Sequence, residues 1–362
     1  MIKFIPLTAL YFLLGCTTAR TNTSADELPG GQLFPYGRTA LDNEQLELIS
    51  SASHFAFNFK GTECQVYASL SDGQDHNYLQ YELDGVYQKR IRINKNDQQP
   101  IVLSAPSPGR HTIKIFKATE AHTGPVFIQK ITGKNIASIK PPSFPLIEFI
   151  GNSITCGAAA DPSEVPCNTA AYHDQHNAYY AYGPRVARAL NTNFILSSVS
   201  GIGIYRNWNS DGPTMPKVYG KTDFQDQSER QWNFNTYAPK VVSIALGTND
   251  FSGGDGKKPR LSFDSAAFVS NYIRFVQQVK EKYPSAAIAL LSSPMLNSDR
   301  RTLLQNCITA VKTGVDNLYP VARPVAVYFF RPMQARGCTG HPSVEDHGIM
   351  ADELVPFFKA LL

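Results

Sequence analysis

Residues 146–157 read LIEFIGNSITCG. Leu146 to Ile150 is a short apolar run, of the kind that forms a strand buried on both faces of a sheet. Gly151-Asn152-Ser153 breaks the run. A serine in a tight turn from strand to helix can present its hydroxyl at the top of a sheet, beside the free N–H groups of a helix start, although the G-x-S-x-G elbow is absent. Towards the C-terminus, apolar runs and helical patterns alternate. Ala178 to Leu190 has helical spacing that Gly183-Pro184 kinks or restarts. Phe194 to Leu196, Lys240 to Leu246, Ala286 to Leu291 and Pro324 to Phe329 are strand-like. Ser265 to Tyr283 is a long amphipathic helix, with Asp264 as N-cap and Pro284 as stop. Leu303 to Leu318 and Val344 to Leu361 complete the helices. This alternation predicts an α/β domain over 146–362, a parallel sheet with helices on both faces.

Towards the N-terminus the period changes to two. Lys140-Pro141-Pro142-Ser143-Phe144-Pro145 is stiff, and residues 139–145 are read as a Pro-rich junction. Before it, His54-Phe55-Ala56-Phe57-Asn58-Phe59 alternates as a half-buried strand does. Tyr78 to Leu83 runs into Asp84-Gly85, a hairpin signal, and then into Val86-Tyr87 and Arg90 to Ile93. Pro108-Gly109 precedes His111 to Phe116, and Val126 to Ile128 closes the set. Residues 33–138 are therefore expected to form an antiparallel β-sandwich.

The extreme N-terminus is read as an address. Phe4 to Leu14 is too short to span a bilayer but suits a signal peptide over residues 1–15. It ends Leu13-Leu14-Gly15-Cys16, which resembles a bacterial lipobox, with Cys16 as the lipidated residue. Residues 16–32 then form a polar tether. The expected location is exported, at the outer membrane or cell surface, held by the N-terminal lipid alone. Five further cysteines, Cys64, Cys156, Cys167, Cys307 and Cys338, leave at least one unpaired. The expected pairs are Cys156–Cys167 and Cys307–Cys338, with Cys64 a core thiol. No Cys/His cluster has zinc spacing, so neither a metal nor any other cofactor is expected. Of 362 residues, 43% are hydrophobic and 18% charged, which fits a globular chain. A net charge of +4 without a basic run gives no ground for a nucleic-acid partner.

In a parallel sheet, reacting groups sit beyond the carboxyl ends of the strands. Ser153 follows the first strand, Gly201 the second and Asn249 the third; His341-Pro342-Ser343 lies in a loop before the last helix. Singly, each has an ordinary structural explanation: a helix cap, a turn glycine, a turn asparagine, a loop histidine. Together, in this order and at these strand ends, they resemble the SGNH hydrolase superfamily. IEFIGNSITCG (147–157), SGIGIYRNW (200–208), MPKVYG (215–220), VVSIALGTNDF (241–251) and HPSVEDHGIMADEL (341–354) are most similar to carbohydrate esterase family 2. Those are acetyl esterases with a jelly-roll-like sandwich ahead of the SGNH domain.

The resemblance implies acyl transfer from an acetylated polysaccharide of the xylan or glucomannan type. Ser153 would be the nucleophile, His341 the base, and Ser153, Gly201 and Asn249 the donors to the oxyanion. Trp208, in the loop after Gly201, would offer a face to a sugar ring, whereas Trp232 is as readily a core residue. The sequence departs from the superfamily in two places. Asn152 stands where aspartate is usual, and Cys338 stands three residues before the histidine, where an orienting aspartate is usual. A Ser153–His341 dyad is therefore expected, held by a backbone carbonyl or by a carboxylate from elsewhere. His347, in the last helix, is the rival base, and Asp250 is read as structural. Two alternatives stay open: a sugar-binding lipoprotein whose site has decayed, and a lipase or thioesterase of the same superfamily.

Overall fold

The computed structural model describes residues 25–362. The expected signal peptide and Cys16 lie outside them. The N-terminal strands are β1 (Ala25–Pro29), β2 (Thr39–Asp42), β3 (Gln45–Leu48), β4 (His54–Leu70), β5 (His76–Leu83), β6 (Val86–Asn94), β7 (Ile101–Lys117) and β8 (Val126–Ser138). They form one antiparallel sheet in the order β2-β3-β8-β4-β7-β5-β6, with β1 on β8. The alternation from His54 places Phe55, Phe57 and Phe59 in a core drawn only from residues between Leu28 and Ile136. β4 and β7 pair along most of their length, with a register shift at Gly61/Glu63 that bends the sheet.

Two details differ from the sequence reading. Residues 25–32, expected as the end of a polar tether, instead form β1 and a 3-10 turn, and Leu28 is buried there. One apolar side chain and a free edge on β8 are enough to draw in a polar segment. Pro108-Gly109 lies inside the continuous β7 rather than ahead of a new strand.

β9 (Leu146–Gly151), β10 (Asn193–Ser198), β11 (Val241–Ala245), β12 (Ala287–Leu291) and β13 (Ala326–Tyr328) form the second sheet. All its pairs are parallel, in the order β10-β9-β11-β12-β13. The helices are α1 (Ser153–Cys156), α2 (Tyr182–Ala189), α3 (Met215–Val218), α4 (Ser265–Lys282), α5 (Ser298–Leu318) and α6 (Val344–Lys359). Local signals place their ends. Pro184 falls in the first turn of α2, and the Asp264 carboxylate caps α4 through Ala267 N–H. Ser343 and Asp346 close a reciprocal capping box on α6. The strand order reverses at β9, so the chain leaves β9 and β10 on opposite sides of a crevice.

The two sheets share packing. Ile49 and Ala121 join the core that contains Val199 and Ile202, and Ala52 and Phe116 join the one that contains Phe149 and Tyr179. Arg38, fully buried, donates to the Tyr219 carbonyl at 2.8 Å and lies 4.0 Å from the buried Glu148 of β9. The N-terminal sheet is thus built into the walls of the second domain.

Candidate active site

Ser153 begins α1 directly beyond β9, with the side chain of Asn152 accepting from Ile154 N–H at 3.0 Å. An amide oxygen caps as a carboxylate would, so the turn tolerates asparagine here. The cost is the buried Asn152 Nδ2, which has no partner among the described residues. Gly151 is required by close approach: a Cβ there would sit 2.0 Å from Thr155 Oγ1. The Ser153 N–H occupies the first position of a helix, where no intrahelical acceptor exists.

Gly201 adopts φ +75°, which favours glycine. Its carbonyl accepts from Trp208 N–H at 2.8 Å, and Ser200 N–H before it donates to Glu120 Oε2 at 2.6 Å. Asn249, beyond β11, donates from Nδ2 to the Ile202 carbonyl at 2.8 Å. That bond ties the asparagine to the Gly201 loop and engages one of its two amide protons. Asp250 accepts from the N–H groups of Ile204, Tyr205 and Arg206. Burial pushes its carboxyl up to about 6 in spite of them. It fastens the loop that follows Gly201.

His341 lies in the loop before α6, with Nε2 2.9 Å from Ser153 Oγ. Its Nδ1 is 3.1 Å from Thr339 Oγ1, which donates its own proton to the Cys338 carbonyl at 2.8 Å. Thr339 therefore accepts from Nδ1–H, which leaves the Nε2 lone pair to the serine hydroxyl. No carboxylate of the described residues touches Nδ1. Burial, with His176 nearby, holds His341 below its ordinary value near 6.5. The imidazole is thus neutral and basic at neutral pH. The rival His347 is fully buried, accepts from Tyr182 N–H through Nδ1, and is pushed down to about 3 by burial. It does not reach the serine.

The pairing expected of the cysteines is overturned. Cys167 bonds Cys338, and Cys64, Cys156 and Cys307 are free and buried. Nearness in sequence misleads because the loop before His341 folds back over residues 157–177, with Cys338 N–H on the Ala159 carbonyl. Cys156 instead faces inward, its thiol 3.2 Å from Ser198 Oγ.

Tyr172, which the sequence did not single out, places its hydroxyl 3.3 Å from His341 Nε2 and its ring edge-on to His176. Its segment is anchored from the N-terminal sheet, since His76 and Tyr78 both bond Asp174, at 2.7 and 2.6 Å. Ligand atoms of His76, His173 and Asp174 lie within 4.8 Å of one another. The two imidazoles stack at 27°, and Arg92 is 3.6 Å from the same carboxylate. These contacts anchor the segment to the N-terminal sheet. Trp208 is half exposed and lines a cavity of about 310 Å³ with Gly201, Asn207, His122 and Phe224. Trp232 is buried, with the Arg38 guanidinium 5.0 Å from its ring, and has no place in that cavity.

The arrangement has recognisable relatives. A family model described as carbohydrate esterase 2 N-terminal matches residues 36–142, and one for the GDSL-like lipase/acylhydrolase family matches 149–325. The cellulase/esterase CelE of Acetivibrio thermocellus is 32% identical over 324 residues, 85% of this chain. The chain spans 37% of that protein's length. An acetylxylan esterase / glucomannan deacetylase of Cellvibrio japonicus is 25% identical across all of this chain and 99% of its own. Among solved structures, a family two carbohydrate esterase from Clostridium thermocellum, in complex with cellohexaose, superposes with a TM-score of 0.79. It is 29% identical, over 91% of this chain and all of the other.

Proposed function

Since the chain belongs to carbohydrate esterase family 2, we propose that it is an exported serine esterase that removes O-acetyl groups from polysaccharides. Acetylated xylan and glucomannan are the substrates proposed, after the names of the Cellvibrio relatives. The observation that carries the reading is the 2.9 Å contact between His341 Nε2 and Ser153 Oγ, with Nδ1 engaged from behind. Ser153 attacks the acetyl carbonyl while His341 takes its proton. His341 then protonates the leaving sugar oxygen, and water, activated by the same nitrogen, clears the acetyl-enzyme. Developing negative charge on the carbonyl oxygen meets the N–H groups of Ser153 and Gly201 and the second amide proton of Asn249. Trp208 and its cavity take the sugar. An intact dyad speaks against the decayed-site alternative.

Export and anchoring through Cys16 belong to the same proposal. No helix of the described residues is long and apolar enough to cross a membrane.

Acetate release from acetylated xylan and glucomannan by the purified protein, beside Ser153→Ala, tests the reading. Loss of the nucleophile should lower kcat by at least about 1000-fold. Equal release by both proteins would sink the serine mechanism. Rates that rise from acetyl to octanoyl esters would move the chain to the lipases.

A further inference from the structure

Glu120 sits in the connection between β7 and β8 of the N-terminal domain and is 4% exposed. Its side chain crosses into the second domain. Oε2 accepts from Ser200 N–H at 2.6 Å and faces the Cys156 thiol at 3.6 Å. Oε1 lies 3.4 Å from His176 Nε2. His176 Nδ1 accepts from Ala159 N–H, so Nε2 carries the ring proton and donates it to the carboxylate. On the other side, Lys117 Nζ donates to the Glu120 main-chain carbonyl at 2.6 Å and fixes the residue's backbone.

Resting on the esterase reading above, we infer that Glu120 is a positioning residue for the reaction. It clamps the Gly201 turn and lends the active site a fixed negative charge that the histidine loop lacks.

The clamp follows from connectivity. Residues 200 and 201 are held at both ends, by Ser200 N–H on Glu120 and by Trp208 N–H on the Gly201 carbonyl. The Gly201 N–H lies between these two fixed points, so its direction is set before substrate arrives. A preorganised donor of this kind need not reorganise as the oxyanion forms. Without the carboxylate, one end of a turn at positive φ is released.

The charge follows from what His341 must become. Proton transfer from Ser153 makes it an imidazolium, and a triad offers that cation a carboxylate. Here Nδ1 meets the neutral Thr339 hydroxyl. Burial and His176 lower the proton affinity of His341; the Cys338 and Thr339 main chain raises it, and Glu120, joined to the site through His176, is the acid group whose field adds to that. Burial alone would raise the Glu120 carboxyl, but His176 and the Ser200 N–H hold it down to about 2, so the charge is present throughout the working range. The groups that face Glu120 are His176, Cys156, Tyr172 and Lys117; those that face His341 are Ser153, Tyr172, Thr339, His176 and His347. Burial brings Lys117 down to about 7, so it titrates near neutral pH. The His341 ring itself must therefore be followed, and not the rate alone.

The experiment compares wild type, Glu120→Gln and Glu120→Asp as full chains. It measures kcat and KM for acetate release against pH, and the His341 ring-proton titration by NMR. Glu120→Gln keeps the shape and removes the charge. It should lower kcat roughly 10–100-fold, as a misplaced catalytic group does, with KM within about twofold of wild type. The acid limb and the His341 midpoint should both move to lower pH. Glu120→Asp keeps the charge with shorter reach: kcat should fall while the midpoint stays. Wild-type kcat and midpoint in Glu120→Gln would overturn the inference, and a change in melting temperature alone would reduce Glu120 to a structural residue. Should Glu120→Gln not fold, Glu120→Asp decides, and wild-type kcat there would refute the clamp. If the wild type releases no acetate, the esterase reading fails separately, and the NMR midpoints still report whether the charge reaches His341.

Discussion

The two halves of the proposed dyad are held by different means. Ser153, Gly201 and Asn249 follow β9, β10 and β11, three neighbouring strands of one parallel sheet. Their positions are set by backbone ladders and by buried strands such as Leu146–Gly151. His341 has no strand behind it. It is held by the Cys167–Cys338 bridge, by Gly337 N–H on its own carbonyl, by Thr339 on Nδ1, and by Tyr172 across from it. The nucleophile side thus rests on regular structure, whereas the base side is assembled from long-range cross-links. Substitutions on the first side should strike chemistry while sparing the fold, and those on the second should mix positioning with stability.

The sharpest test of that contrast is Asn249→Ala. One oxyanion donor is worth about 3–4 kcal/mol in the transition state, so kcat should fall about 100–1000-fold. Asn249 also holds the Ile202 carbonyl at 2.8 Å, so a small loss of melting temperature is expected beside it. A kcat loss under about tenfold would remove Asn249 from the oxyanion site, since that is less than one such donor supplies.

The same contrast explains what could be read from the sequence. Apolar strands and capped helices carry local signatures. The parallel sheet, the turn at Ser153 and the cap Asp264 were therefore legible, and with them the residues beyond each strand. Thr339, Tyr172 and Glu120 carry no such signature. Each matters through a partner far along the chain: Glu120 lies 80 residues from Ser200, and Tyr172 lies 169 from His341. The cysteine pairing failed for the same reason, because a bridge between residues 171 apart depends on how two loops cross. Thr339, a β-branched residue at φ +52°, is strained, and strain of that sort gathers at functional loops, but φ is not visible in a sequence.

The next effect in size concerns the bridge. Replacing Cys167 and Cys338 together by serine opens a closure of 171 residues, which should cost about 2–5 kcal/mol and lower the melting temperature. The same change frees the segment that carries Thr339 and His341, so kcat should fall roughly tenfold, as catalytic groups drift from attack geometry. Nucleophile-side geometry should be untouched, so an organophosphorus reagent that reports on Ser153 should still label the protein, only more slowly. Unchanged kcat with lowered stability would show that hydrogen bonds suffice to hold the base, those of Thr339 and Tyr172 to the ring together with Gly337 N–H to the His341 carbonyl, Cys338 N–H to the Ala159 carbonyl and His341 N–H to the Cys338 carbonyl.

The smallest effect is expected at Thr339, and it reports most directly on how the base works. Its side chain is exposed, so water can replace its hydroxyl at Nδ1. Thr339→Val keeps the β-branch and its strain while removing the acceptor. It should lower kcat by only about 2–5-fold, the worth of one neutral hydrogen bond near 1 kcal/mol. Thr339→Asp tests the opposite direction. Aspartate tolerates positive φ better than threonine does, and it would bring a carboxylate to Nδ1–H. In the wild type, burial and His176 keep His341 below 6.5, so the acid limb of kcat/KM should lie below that pH. A neighbouring anion favours the protonated ring, so Thr339→Asp should move the limb to higher pH, and Thr339→Val should not. A limb unmoved by the aspartate would mean that Nδ1 is served by a backbone carbonyl instead, and the base side would then lean on its loop alone.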